Sequence, residues 1–330
     1  MTNGPDMKTI LVTGGAGYIG SHACKALAQA GFVPVTYDNL VTGWQDAVKF
    51  GPFEQGDLLD RARLDAVFAK YQPQAVMHFA ALSQVGEAMK EPARYWSNNV
   101  TGSLTLIEAA VAAGCLDFVF SSTCATYGDQ DNVVLDEDTP QHPINAYGAS
   151  KRAIEDILRD FEAAHGLRHV IFRYFNVAGA DPKGRAGQLS QPATHLIKIA
   201  VEAAVGKRSS IQLYGTDYPT PDGTCIRDYI HVSDLIGAHM AALAHLQAGG
   251  ESMLANCGYG HGASVRDVLD VVAVVAGKKL AITDAPRRAG DAAILVADST
   301  KLRRKLGWTP VYDDLQKIVS DALAWEQANP

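Results

Sequence analysis

Tyr147 and Lys151 stand four apart in Tyr147-Gly-Ala-Ser-Lys151, a spacing that puts both side chains on one face of a helix. The spacing is common in proteins, and its weight comes from its company. Thr123 closes the run Phe118-Val-Phe-Ser-Ser-Thr123, and far upstream Thr13-Gly-Gly-Ala-Gly-Tyr-Ile-Gly20 follows an apolar run and opens a helical pattern. Such a loop lets backbone donors at a helix N-terminus approach a dinucleotide pyrophosphate. A free tyrosine ionises near pH ~10, too high for a base at neutral pH. A lysine ammonium beside it, with the positive ring of an oxidised nicotinamide nearby, favours the phenolate and lowers that pKa. Tyr147 and Lys151 therefore read as a tuned general base, with the Thr123 hydroxyl placed to bond a substrate oxygen and relay its proton.

The glycine loop supplies Gly14, Gly17 and Gly20 in a Gly-x-x-Gly-x-x-Gly spacing, one residue wider at its start than the commonest dehydrogenase form. Asp38 ends the next apolar run, where an acidic side chain bonds the adenosine ribose hydroxyls and repels a 2′-phosphate, so NAD is expected over NADP. In Gly56-Asp57-Leu58, Asp57 is a candidate partner for the adenine amino group.

The elements that must position these groups follow from periodicity. Thr9 to Thr13, Val33 to Tyr37, Ala75 to Ala80, Phe118 to Ser122 and Val170 to Tyr174 read as strands. Between them, Ile19, Ala23 and Leu27, then Leu64, Val67 and Phe68, then Leu104, Ile107 and Val111 recur at helical spacing. This alternation predicts an α/β fold with a doubly wound parallel Rossmann sheet. Pro34 is tolerable only where its missing donor is unpaired. After Asn176 the alternation fails, and a smaller α/β lobe is expected. Its helices should run from Ser233 as N-cap through Leu246, from Ser264 through Val275, and from Asp313 to Trp325. The division is thus 1–176 for the dinucleotide and 177–330 mainly for substrate, with the chain free to cross back.

The 330 residues carry 47% hydrophobic and 20% charged side chains and a net charge of −7 with no basic block. That favours a small-molecule substrate over nucleic acid or an anionic membrane. Five widely spaced cysteines without a Cys-x-x-Cys argue against both a disulfide framework and a bound metal, and suit a reducing cytoplasm. Neither a secretory leader nor an apolar run of membrane-spanning length is expected.

Further motifs extend the pattern: His78-Phe-Ala-Ala-Leu82, Asn98-Asn-Val100, Ser121-Ser-Thr-Cys-Ala-Thr-Tyr-Gly128, Arg173-Tyr-Phe-Asn176, Arg227-Asp-Tyr-Ile-His231 and Pro286-Arg-Arg-Ala-Gly-Asp291. With the glycine loop and Tyr147-Gly-Ala-Ser-Lys151, they make the chain resemble the extended short-chain dehydrogenase/reductase family, and within it the nucleotide-sugar 4-epimerases, from about residue 8 to residue 325. The resemblance implies interconversion of UDP-glucose and UDP-galactose. Tyr147, helped by Thr123, would take the proton of the sugar 4-hydroxyl while hydride leaves C4 for a tightly held NAD. The 4-ketose would turn over and take the hydride back on its other face. Lys151 would hold the nicotinamide ribose.

The resemblance also assigns NAD contacts to Tyr18, Ile19, Asp38, Asn39, Leu40, Val41, Thr42, Gly43, Asp57, Leu58, Phe79, Ala80, Ala81, Leu82, Ser83, Asn98 and Phe175. Asn176, His195, Leu196, Gln212, Tyr214, Arg227, Arg288, Asp291 and Leu295 would face the UDP-sugar; guanidinium forks suit phosphate oxygens. Three positions depart from the usual pattern. Ser83 stands where many relatives have lysine, His195 where many have asparagine, and Leu295 where the sugar-gating residue is often tyrosine. A homodimer through the helices around Val100 to Val111 and Ala153 to Phe161 is expected, since each offers apolar residues on more than one face. Other readings stay open: an epimerase for UDP-N-acetylglucosamine or a UDP-pentose, a 4,6-dehydratase, or a non-catalytic dinucleotide-binding regulator. The dehydratase needs an acidic pair just after the threonine, where this chain has Cys124 and Ala125.

Overall fold

A computed structural model describes residues 8–130, 134–189, 193–288 and 291–329. Residues 1–7, at the end read for a leader, and 289–290 within the Pro286–Asp291 motif lie outside the described residues. Seven parallel strands form the central sheet: β1 (Thr9–Thr13), β2 (Val33–Asp38), β3 (Phe53–Gln55), β4 (Ala75–His78), β5 (Asp117–Thr123), β6 (Arg168–Tyr174) and β7 (Met253–Cys257). Their order across the sheet is β3-β2-β1-β4-β5-β6-β7. The order reverses between β1 and β4, the switch point beside which ligands bind in such sheets.

Both faces are buried because successive residues of a strand point to opposite sides. Ile10 and Val12 pack with Ala23 and Leu27 of α1 (Tyr18–Gln29), while Leu11 packs on the other face. That other face is covered by α2 (Arg61–Tyr71), α3 (Gly102–Ala112) and α4 (Ala146–His165). Pro34 is buried in β2. Two residues on, Thr36 donates its N–H to Pro52 at the start of the β3 pairing, so the missing donor of Pro34 points to the same side before β3 begins.

The chain crosses back after residue 176. Helix α6 (Val232–Gln247) packs on α1, and β7 extends the sheet beside β6. The remaining part of the later chain holds α5 (Leu196–Ala204), α7 (Val265–Ala276) and α8 (Leu315–Ala328), packed on one another. Short strands pair 226–227 with 294–295 and 211–214 with 282–285.

Several boundaries differ from expectation. Strand β4 ends at His78 rather than Ala80, because the N–H groups of Phe79 and Ala80 both turn to the Thr13 carbonyl. Helix α6 is capped by His231, whose imidazole accepts the Ser233 N–H, so Ser233 lies inside the helix. Asp314, not Asp313, caps α8. Ser264 caps α7 as expected, with Asp267 completing a reciprocal capping box. Among the described residues no helix is long and apolar enough to cross a membrane.

Candidate active site

The glycine loop joins β1 to α1. Gly14 has φ +73°, and a Cβ there would lie 2.6 Å from the Ala80 nitrogen; at Gly20 it would lie 2.2 Å from the Gly14 carbonyl oxygen. These two glycines let strand, loop and helix touch. Gly17, the N-cap of α1, differs: an added Cβ would meet only the Gly14 oxygen, at 3.1 Å. It leaves open backbone at a helix N-terminus, a cradle suited to a pyrophosphate.

Asp38 ends β2 beside this loop. Its two oxygens accept the N–H groups of Ala16 (3.1 Å) and Leu40 (2.9 Å), so it orders the glycine loop and the next turn together. Burial raises its pKa, and the two backbone bonds oppose that rise. A carboxylate has about four lone-pair positions, so acceptor capacity remains for ribose hydroxyls. The 39–43 turn is tightly made: Leu40 has φ +61°, and a Cβ on Gly43 would sit 2.7 Å from Asp38 Oδ1. Val41 and Thr42 are exposed. At the end of β3, Asp57 accepts from Asn39 Nδ2 at 2.9 Å, and Leu58 is buried beside it.

The loop after β4 carries Phe79 to Ser83 past the switch point. Asn99, fully buried in a π-helical turn at Trp96–Thr101, accepts the Leu82 N–H (2.9 Å) and donates to the Leu82 carbonyl (3.0 Å) and to Ser150 (3.1 Å). Asn98 donates to Asn99 at 2.9 Å. π-Helical turns recur at functional sites. The sequence reading gave a role to Asn98 and missed Asn99, whose partners lie on distant elements.

Thr123 ends β5, and Tyr147 and Lys151 lie in the first turns of α4, which Asn145 caps. The Thr123 hydroxyl accepts the Ala125 N–H at 3.2 Å, and its side chain acts to lower the Tyr147 pKa. Lys151 donates to the Ser121 carbonyl at 2.8 Å and lies 4.7 Å from the centre of the Phe120 ring. All three side chains are buried. The protein alone does not lower the tyrosine: burial, and then the neighbouring Tyr174, push its pKa above the ordinary value, and Thr123 opposes them. The expected lowering needs the positive nicotinamide ring as well as Lys151, and these directions are those of the protein groups by themselves. Burial pulls Lys151 itself down to about 7, with Glu155 acting in the opposite direction.

The residues assigned to the UDP-sugar fall into four groups. Asn176, His195 and Leu196 line one cavity with Tyr229, and Gln188 bonds His195 Nδ1 at 2.9 Å. Gln212, Tyr214 and Arg288 come together: Tyr214 donates to Gln212, and the Arg288 guanidinium lies 3.9 Å from the Tyr214 ring centre. Arg227 donates to the Ala292 carbonyl at 2.7 Å, with Asp291 3.8 Å away. Leu295, with Cys124, packs against Phe175.

A glycine loop at a helix N-terminus and a Thr-Tyr-Lys set about a strand end stand in one chain. The family model for the NAD dependent epimerase/dehydratase family matches residues 10–258. The chain belongs to that family. Members similar to it include the UDP-glucose 4-epimerase of Rhizobium meliloti, 52% identical over 316 residues, or 96% of either chain. Among solved structures, the UDP-glucose 4-epimerase of Brucella ovis in complex with NAD superposes with a TM-score of 0.94 at 46% identity, over 96% of this chain and 98% of that one. The UDP-glucose 4-epimerase of Bifidobacterium longum in complex with NAD+ and UDP gives 0.93 at 35% identity, over 98% and 99%. The epimerase/dehydratase family thus accounts for the fold, and NAD is its cofactor.

Proposed function

We propose that the chain is a UDP-glucose 4-epimerase, interconverting UDP-glucose and UDP-galactose with NAD retained between turnovers. The observation that carries this reading is the placement of Thr123 at the carboxyl end of β5, with Tyr147 and Lys151 buried in the first turns of α4, on the same sheet edge as the glycine loop. NAD, when bound, accepts hydride from the sugar C4, returns it, and adds positive charge near Tyr147. The residues do the rest. Tyr147 takes the proton from the 4-hydroxyl, through or beside Thr123, and gives it back. Asn99 fixes the 79–83 loop against α4 so that cofactor and base keep their distance. Arg227 and Arg288 hold the diphosphate, and residues 177–330 mainly hold the UDP-sugar.

A dehydratase finds no acid or base at Cys124 and Ala125: burial pushes the Cys124 thiol up to about 11, and alanine cannot ionise. A cytoplasmic setting suits five free cysteines. Self-association is expected through α3 and α4, which keep Leu104, Val111, Ile157 and Phe161 only partly buried. Light scattering at micromolar concentration should give the dimer mass, and a monomer mass would remove this part of the reading.

Purified protein given UDP-galactose and no added cofactor should form UDP-glucose. No turnover even after NAD is supplied, or formation of a 4-keto-6-deoxy sugar, would reject the epimerase. The same assay with UDP-N-acetylglucosamine tests Leu295, which brings no ring and no hydroxyl to the wall it shares with Cys124 and Phe175. Room near C2 should allow minor N-acetyl epimerisation, and Leu295→Tyr should lower the ratio of N-acetyl to glucose activity roughly tenfold. An unchanged ratio, or no N-acetyl activity in the wild type, would mean Leu295 is not the gate.

A further inference from the structure

Lys151 is followed one turn later on α4 by Glu155, a carboxylate with no solvent exposure. Three elements besides α4 hold it. Ser122 of β5 donates to Oε1 at 2.5 Å; Arg173 of β6 donates through Nε to Oε1 at 3.0 Å and through Nη2 to Oε2 at 2.6 Å; Gln141 donates to Oε2 at 3.1 Å. Arg159 on α4 stands 3.6 Å from Oε2. Arg173 in turn lies 4.9 Å from the centre of the Tyr127 ring.

Two successive residues of β5 are thus tied to two side chains of α4 a turn apart. The Ser121 carbonyl takes Lys151 and the Ser122 hydroxyl gives to Glu155. Helix and strand cannot slide without breaking both contacts.

The charges around Lys151 are few. On its own helix stand Tyr147 and Glu155. From β4 comes His78, bonded to Thr13 and Ser103 and held neutral, since burial and then Lys151 push its pKa well below the ordinary value. From β6 come Arg173 and Tyr174, the latter raised to about 12 by burial. From α6 comes His239, bonded to Ser121 Oγ at 3.1 Å and pulled to about 4 by burial. Of these groups Glu155 is the one that acts to raise Lys151, and Arg173 enters through its paired bonds to that carboxylate. An opposite charge favours the ammonium and a like charge disfavours it.

We propose that Glu155 is a positioning residue for Lys151, and that the Glu155–Arg173 pair sets the pH range over which the Tyr147 base works. The second clause rests on the epimerase reading; the first does not. Glu155→Gln keeps the shape and the Ser122 contact but leaves the Arg173 charge in the cluster with no carboxylate to offset it. Arg173→Met takes away the carboxylate's two-pronged partner and leaves it Arg159 at 3.6 Å. The double variant Glu155→Gln/Arg173→Met removes the pair as a unit and avoids a lone buried charge, which is the change most apt to unfold the protein.

The direct readout is the Nζ resonance of Lys151 in protein labelled with 15N-lysine, identified by its loss in Lys151→Arg and followed against pH. Its midpoint should fall by about one pH unit or more in Glu155→Gln, fall less in the double variant, and rise in Arg173→Met. The alkaline limb of kcat should move in the same directions, because loss of the ammonium removes support for the Tyr147 phenolate. Glu155→Asp should restore most of the wild-type midpoint. A midpoint that stays put in the double variant, or that moves the same way in Glu155→Gln and Arg173→Met, overturns the proposal. Midpoints that move as expected in a protein with no UDP-sugar turnover would instead retain Glu155 as the partner of Lys151 and reject the epimerase.

Discussion

Tyr147→Phe is expected to lower turnover by roughly 10³-fold while leaving NAD retention and UDP affinity near their original values. The ring stays, and with it the packing against Leu82, Ala88 and Tyr95. What goes is the phenolic hydroxyl. Losing one buried hydroxyl costs about 1 kcal/mol of stability at most, so thermal unfolding should shift by only a few degrees and the loss should fall on kcat. Neither neighbour can take over. Thr123 is an alcohol, far too weak an acid to serve as base, and burial holds Tyr174 at about 12. Steady-state kinetics with calorimetric UDP binding separate the two effects. Turnover within tenfold of the wild type would remove Tyr147 from the chemistry, and loss of UDP binding in parallel would make its role structural.

The parts of the site that sequence made legible are those a local rule dictates. Gly14 and Gly20 are glycine because a Cβ would strike Ala80 or the Gly14 carbonyl. β1 and β4 read as apolar runs because both sheet faces are covered. Tyr147 and Lys151 share a helix face. The parts that stayed hidden depend on partners far along the chain. Asn99 reaches Ser150, Ser122 reaches Glu155, and Ser121 reaches His239, 118 residues away. Nothing in the periodicity of residues 253–257 says that they join the sheet beside β6; that follows from where α6 delivers the chain. The surroundings of Tyr147 were hidden for a related reason: the four-residue spacing puts Lys151 on the same helix face, but burial of the phenol and the Ser121 carbonyl that engages the lysine come from the packed sheet.

The glycine loop gives the second large effect, as a contrast between two alanines. Gly17→Ala needs no unusual backbone conformation, since φ is −85° at the N-cap, and the new methyl would meet one backbone atom, the Gly14 oxygen at 3.1 Å, which must give by only a few tenths of an ångström. The fold should persist, with a thermal midpoint within a few degrees of the wild type. The methyl, however, stands over the open N-terminus of α1, where the pyrophosphate must approach the backbone N–H groups closely. NAD affinity should drop by about a hundredfold, and the protein should purify largely without cofactor. Gly20→Ala acts elsewhere. Its methyl would lie 2.2 Å from the Gly14 oxygen and 2.9 Å from Gly15 Cα, so α1 must move off β1, and overpacking of that kind costs about 1–3 kcal/mol. That variant should lose both stability and cofactor, with the thermal midpoint falling first. Cofactor content after purification, NAD titration of the apo-protein and thermal unfolding distinguish the two. If Gly17→Ala binds NAD as the wild type does, the loop is a tight turn and no cradle. If Gly20→Ala melts with the wild type, the contact between α1 and the Gly14 carbonyl is looser than 2.2 Å implies, and the third glycine serves something other than the fit of helix to strand.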